Sequence, residues 1–299
     1  MSNISEEVLE KAKAEIREDE TRKQQSVEQL RDFVTKHAFI KACRTDDRYL
    51  LPFLRARKYN MDRVCDTFEK ALIFVRTHDD WFDFSEEKFN RIMELYDTGF
   101  LKVMKHRDSE GRRVVIANNS LDMEKYNADD VFRLHCLVFL ILALEEETQI
   151  CGIVYIDDFS TGITMKYLSM FPLKSMYDFT IQLKVTPVRL KNICLVGLPS
   201  FATQFLNIVK LGLSEVMNQR LHVVDNASEL GNYVDQSVMT KDYGGKLDGD
   251  ECLKEFRKII DANIDIVKAF FDFELDMTKA EVLKDYHENI GSFRKLEID

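Results

Sequence analysis

Two polar residues, His135 and Asp157, are set among apolar neighbours in this chain. His135 shares a helical face with Phe132, Phe139 and Leu142, the spacing of a core-directed stripe. Asp157 shares a strand face with Ile153 and Tyr155. Burying either group without a partner costs on the order of several kcal/mol. Each therefore reaches solvent, or bonds to the other, to a water molecule or to a ligand's polar head. A satisfied core histidine and a strand-end aspartate facing water are the plainer readings.

Other chemistry is sparse. No phosphate-binding loop, GxGxxG, GxSxG or HExxH pattern occurs. The histidines (37, 78, 106, 135, 222 and 287) are scattered, and no pair is spaced to bind a metal from one helix. The run Glu145–Glu146–Glu147 reads as a solvated helix end. The expectation is a protein without catalytic residues, cofactor or metal. Cations border apolar segments at three places: Arg55, Arg57 and Lys58 at one helix end, Arg189 and Lys191 before a strand, and Arg220 after an apolar helix. Taken singly, each is a solvated face or a helix-end charge.

The elements that must position these residues alternate. Charged residues 1–36 form a helical, mostly solvated lead-in. Short helices follow at Tyr49–Arg57, from Asp62 onward and at Glu86–Leu95. Phe100–His106 and Arg113–Asn118 read as strands around a turn at Asp108–Gly111. Then come a helix over Asp129–Glu147, a strand over Gly152–Phe159 and a helix over 163–184. Strands at Ile193–Val196 and Leu221–Val224 flank a helix over Pro199–Gln219. Helices over 252–275 and 278–290 close the chain. Strands alternating with helices predict an α/β fold with a mainly parallel sheet.

The segment Asn192–Val224 is the most unusual. Its helix carries Phe201, Phe205, Ile208, Val209, Leu213 and Val216 along one broad face, with Leu206, Leu211 and Met217 on the flanks. Gln204, Asn207, Lys210, Ser214 and Glu215 keep it from spanning a bilayer. Two readings stand: a central core helix, or a helix with one face on an apolar cargo and the other on a membrane surface.

Composition sets the outer bounds. The 299 residues are 45% hydrophobic and 31% charged, enough to bury a core. Gly 11 and Pro 4 are low counts and favour helix-rich architecture. A formal charge of −10 disfavours nucleic acid as a partner and requires any anionic membrane to be met by a local basic patch. The six cysteines, none in CxxC spacing, read as reduced thiols of a cytoplasmic protein. The charged start reads as no signal peptide. The apolar run Leu134–Leu144 is too short to span a membrane.

The chain resembles the CRAL-TRIO lipid-binding family, in the branch of α-tocopherol transfer protein and cellular retinaldehyde-binding protein. The resemblance rests on LLPFLRARKYN at 50–60, FLKVMKHRDSEGRRVVI at 100–116 and DDVFRLHCLVFLILALEEETQICGIVYIDD at 129–158. It continues through PVRLKNICLVGLP at 187–199, RLHVV at 220–224 and DYGGKL at 242–247. It implies a lead-in over 1–45, a helical subdomain over 46–97, a lipid-binding domain over 98–248 and C-terminal helices over 249–299. Its sheet would floor an apolar cavity gated by Pro199–Gln219.

By position in the family, Phe132, His135, Phe139, Ile153, Tyr155 and Asp157 line that pocket, with Ile193, Phe205, Val209 and Leu213. Small hydroxyl residues stand at the places of His135 and Phe139 in the tocopherol-binding relative, and an aromatic residue at that of Asp157. These departures imply a ligand other than tocopherol, differently shaped or with a polar group near His135. Arg57, Arg189, Lys191 and Arg220 match phosphoinositide-binding positions, whereas Val216 stands where a further cation is expected. The implied function is a non-enzymatic intracellular carrier of one small hydrophobic ligand, tocopherol-, retinoid- or other lipid-like, exchanged at phosphoinositide-containing membranes, with a monomer as the expected state. A phosphoinositide-reading adaptor and an enzyme acting on the bound lipid are the competing classes.

Overall fold

The structure, a computed structural model, describes residues 4–161 and 163–279. The expected helix over 278–290 falls almost wholly outside them. The helices are α1 (Glu6–Lys11), α2 (Glu20–Lys36), α3 (Asp47–Ala56), α4 (Met61–Thr77), α5 (Asp79–Phe82) and α6 (Glu86–Asp97). They continue with α7 (Ala128–Ala143), α8 (Glu146–Cys151), α9 (Met165–Ser169) and α10 (Leu173–Val185). The last are α11 (Thr203–Gly212), α12 (Glu215–Asn218) and α13 (Gly249–Ala269). The strands are β1 (Ile40–Ala42), β2 (Leu101–Val103), β3 (Arg113–Asn118), β4 (Ile153–Asp158), β5 (Leu190–Val196), β6 (Leu221–Val224) and β7 (Glu274–Leu275).

Strands β2 to β6 form one sheet in sequence order. The β2–β3 pair is antiparallel, and the other three pairings are parallel. The expected turn is present: Asp108 Oδ1 accepts from the backbone N–H of Glu110 and Arg112, and Gly111 takes φ 73°. Such a positive φ favours glycine.

Alternation along the strands gives each face its own apolar layer. Val103, Val115, Ile153, Tyr155, Ile193 and Leu195 join α7 and α10 in one buried cluster. Val114, Ile116, Val154, Ile156, Cys194 and Val196 belong to a second cluster with Leu230, Met239 and Tyr243. A third gathers the N-terminal helices around Leu30, Leu54 and Phe68.

Several expected helices are split. The helix over Asp129–Glu147 becomes α7 and α8. Its start is a capping box in which Asn127 Oδ1 accepts from Asp130 N and Asp130 Oδ2 accepts from Asn127 N. Pro172 separates α9 from α10 by opening the second of them. The helix over Pro199–Gln219 breaks at Leu213, which is extended (ψ 151°). Ser214 then caps α12 by accepting from Met217 N. The helix expected over 252–275 ends at Ala269, and β7 pairs with β1 instead.

The charged lead-in exposes most of its described residues, as expected, while Val8, Ala12 and Ile16 are buried and α1 packs on α8. One reading of a charged segment is corrected. Glu145–Glu147 is not a solvated helix end. Glu145 accepts from Arg107 and Arg113, Glu146 from Arg55, and Glu147 pairs with Arg107. The β2–β3 hairpin brings two of those arginines against the carboxylates, which sequence adjacency could not show.

Candidate functional site

Most of the expected pocket residues converge on the sheet face shared with α7, α10 and α11. Phe132, His135, Phe139, Ile153, Tyr155, Ile193 and Leu213 are all buried, and Phe205 and Val209 are half-buried against the same cluster. Aromatic rings fill the space near His135: Phe179 lies 5.3 Å away, Tyr155 5.9 Å and Phe139 6.2 Å, centroid to centroid. The α7 stripe and the β4 alternation are therefore the local reasons that these side chains meet.

His135 and Asp157 do not bond to each other. The His135 ring is fully engaged: Nδ1 lies 2.8 Å from the Val131 carbonyl and Nε2 2.9 Å from the Tyr155 hydroxyl. A carbonyl only accepts, so Nδ1 carries the proton and Nε2 accepts from Tyr155. Burial pulls the His135 pKa down to about 4, opposed by the Val131 hydrogen bond. The histidine is thus neutral near pH 7.

Asp157 behaves in the opposite way. Burial pushes its pKa up to about 7, against the hydrogen bond from Asn119, and the Asp158 charge adds to the rise. Asn119 Nδ2 donates to Asp157 Oδ1 at 2.7 Å and to the Asp158 carbonyl at 2.9 Å. Tyr167 in turn donates to Asn119 Oδ1 at 2.5 Å. A carboxyl that titrates near neutrality can donate or accept a hydrogen bond. Asn119, Tyr167 and Phe179 were not expected at this site. The parallel β3–β4 register, ending with Asn118 opposite Asp158, is what carries Asn119 there.

The segment after β5 covers one side of this interior. Gly212, at the end of α11, lies so close to α10 that a Cβ there would sit 1.5 Å from Thr180 Oγ1. Phe205, Ile208 and Val209 face the apolar cluster. Phe201 and Val216, expected on the same face, instead point outward and are 45% and 53% exposed, and Leu211 is 63% exposed. The break at Leu213 turns α12 out of register with α11, which separates Val216 from the inner stripe.

The four basic residues do not form one group. Arg189 and Lys191 donate to the same oxygen of Glu15, at 2.9 and 2.5 Å. Arg220 donates to the Leu190 carbonyl between them at 2.6 Å. Burial and then the Arg189 charge hold the Arg220 pKa below its ordinary value. Arg57 serves another contact, donating to Thr67 Oγ1 and the Lys184 carbonyl. Glu15 gave no signal in the sequence, since its partners lie more than 170 positions away.

A separate cleft, lined in part by Phe53, Leu72, Leu140, Gln182, Pro187 and Phe271, holds about 60 Å³. A cavity of about 150 Å³ is what admits benzene, so this cleft is too small for a lipid. Among the described residues, no helix is long and apolar enough to cross a membrane, and no group of three His, Cys, Asp or Glu could hold a metal ion.

Comparison with known proteins agrees with this architecture. The model of the CRAL/TRIO domain matches residues 97–245. The chain is 30% identical to the human (Homo sapiens) alpha-tocopherol transfer protein-like over 251 residues, covering 81% of this chain and 71% of that protein. It is 26% identical to clavesin-2 of Rattus norvegicus over 250 residues, covering 82% and 76%. The crystal structure of Sfh5 superposes with a TM-score of 0.51 at 12% identity, over 82% of this chain and 99% of that one, a likeness of fold. The sheet order, the helical cover and these similarities together make the chain a member of the CRAL/TRIO domain family.

Proposed function

We propose that this protein is a cytoplasmic carrier that holds one small hydrophobic molecule between the sheet and α11, and exchanges it at phosphoinositide-containing membranes. The observation that carries this reading is the two-sided segment 200–219. Its inner residues Phe205, Ile208 and Val209 meet the apolar interior, while Phe201, Leu211 and Val216 are exposed. Val223 in β6 and Met165 and Leu173 on α9 and α10 are exposed as well. Large apolar side chains exposed on the outside of this segment and on neighbouring elements suit contact with acyl chains. Burial at about 25 cal/mol per Å² holds an apolar ligand tightly, so release needs a cover that moves.

The polar groups narrow the ligand. His135 and Tyr155 satisfy each other, whereas Asp157 has a donor on Oδ1 alone among the described residues. A ligand hydroxyl or carbonyl would complete Asp157. Arg189, Lys191 and Arg220 would hold phosphate oxygens, for which guanidinium groups suit well.

The test is mass spectrometry of an organic extract of the purified protein, with transfer of the recovered molecule between vesicles. One bound lipid per chain, returned unchanged and moved between vesicles, is the expected result. No extractable ligand and no transfer would overturn the carrier reading. Membrane binding alone, without a ligand, would point to the adaptor.

A further inference from the structure

Glu15 occupies the basic cluster from within the chain. It sits in a single π-helical turn, Ala12–Ile16, a wide turn often found at functional sites. Hydrogen bonds from Lys191 and Arg189 outweigh burial and hold its pKa at about 2, so protonation does not release it near neutral pH. Lys11 lies beside it, 3.7 Å from Glu15 and 2.9 Å from Glu110. Four cations, Lys11, Arg189, Lys191 and Arg220, thus face two carboxylates. The cluster remains under-neutralised, and Arg189 is almost wholly buried. Incompletely paired buried charge favours any further anion that can enter.

The lead-in is held more firmly just beyond this point. Arg17 takes φ 60°, and Glu18 follows as the bidentate partner of Arg55, with both distances at 2.7 Å. Tyr59 also donates to Glu18 at 2.7 Å. Arg55 and Glu18 are both buried, whereas the Glu15 side chain keeps 30% of its surface exposed. The two carboxylates therefore differ: Glu18 is an anchor, and Glu15 is an accessible contact on the near side of a left-handed turn.

We propose that Glu15 is an internal competitor for phosphate on the Arg189–Lys191 pair, displaced by a phosphomonoester headgroup and not by a phosphodiester. This rests on the reading of these cations as a membrane-docking site. A phosphomonoester brings nearly two negative charges and three acceptor oxygens, against one charge from Glu15. A phosphodiester brings one charge and gains nothing over the carboxylate it replaces. Displacement loosens the segment before Arg17 by one of its contacts, its apolar anchors Val8, Ala12 and Ile16 staying in place, while Glu18 and Arg55 hold the start of α2.

The experiment uses the full chain, its Glu15→Gln variant, and an Arg189→Ala/Lys191→Ala variant. Binding is measured to vesicles carrying phosphatidylinositol bisphosphate, and to phosphatidylserine vesicles of matched charge. Glu15→Gln should tighten binding to the bisphosphate vesicles about tenfold, with a smaller change on phosphatidylserine. Amide exchange over residues 6–15 is followed in the unmodified chain and should quicken when bisphosphate vesicles or soluble inositol trisphosphate are added. Quickening with vesicles but not with the soluble headgroup keeps the displacement and assigns it to the membrane surface. If the double variant loses binding but Glu15→Gln binds as the parent does and exchange over 6–15 is unchanged, the competition proposal is overturned and the docking site stands. If the double variant binds bisphosphate vesicles as the parent does, both fall.

Discussion

The Tyr155 hydroxyl donates to His135 Nε2 at 2.9 Å and so ties the middle of β4 to α7 inside the apolar interior. The ring's one N–H, at Nδ1, donates to the Val131 carbonyl. This arrangement fixes the tautomer and leaves His135 without a free polar atom. Tyr155→Phe should leave Nε2 buried without a donor, at a cost of about 1–3 kcal/mol. Urea unfolding of the variant measures this. His135→Leu combined with Tyr155→Phe should cost less than the sum of the two single changes, and strict additivity would count against the bond.

Asp157 and His135 pull stability in opposite directions with pH. The depressed His135 pKa gives a contribution that is full above 6.5 and is lost as pH falls toward about 4. The raised Asp157 pKa gives a contribution that is full below 3.8 and is lost as pH rises through about 7. Asp157→Asn removes only the second. The variant should therefore gain stability over the parent progressively between pH 3.8 and 7, by a few kcal/mol. Urea midpoints recorded across that range give the comparison. A difference that does not change with pH would show that Asp157 titrates normally.

The contact between α10 and α11 is set by the absence of a side chain at Gly212. A methyl group there would meet Thr180 Oγ1 at 1.5 Å and Cβ at 2.6 Å, so the helices must separate. Gly212→Ala should loosen the proposed gate, with ligand exchange between vesicles faster by about tenfold if roughly 1.4 kcal/mol of closure is lost. Stopped-flow transfer of a fluorescent lipid reads this rate. An unchanged rate would mean that α11 does not control access.

The outward apolar residues should matter to membranes and little to folding. Phe201→Ser with Leu211→Ser removes large exposed side chains. Unfolding free energy should stay within about 0.5 kcal/mol per site, as for other surface changes. Vesicle binding should fall severalfold, as read by co-sedimentation. Full retention of binding would place the membrane contact elsewhere.

Much of the fold was legible in local pattern. The alternation of Ile153, Tyr155 and Asp157 gave the inner face of β4, and the stripe of Phe132, His135 and Phe139 gave the inner face of α7. Both are periodicities of the chain itself. The breaks were less legible. Leu213 interrupts a segment whose apolar residues run on past it, and apolar pattern alone does not mark an end; Pro172 is itself a stop signal, which the expected helix over 163–184 ran through. The outward turn of Val216 followed from the first of these breaks.

The sequence by itself determined which residues are apolar, where strands and helices alternate, and that cations border the segment 200–219. Those properties depend on residues close together in the chain. Apart from the bond of His135 to the Val131 carbonyl one turn earlier on α7, tertiary structure decided the partners of the polar groups in the site. Tyr155 reached His135 because β4 packs under α7. Asn119 reached Asp157 because β3 and β4 pair in parallel. Glu15 reached Arg189 and Lys191 because the lead-in folds back across the molecule. A charge or hydrogen bond acts over a few ångströms in space, and positions far apart in sequence carry no local mark of that nearness.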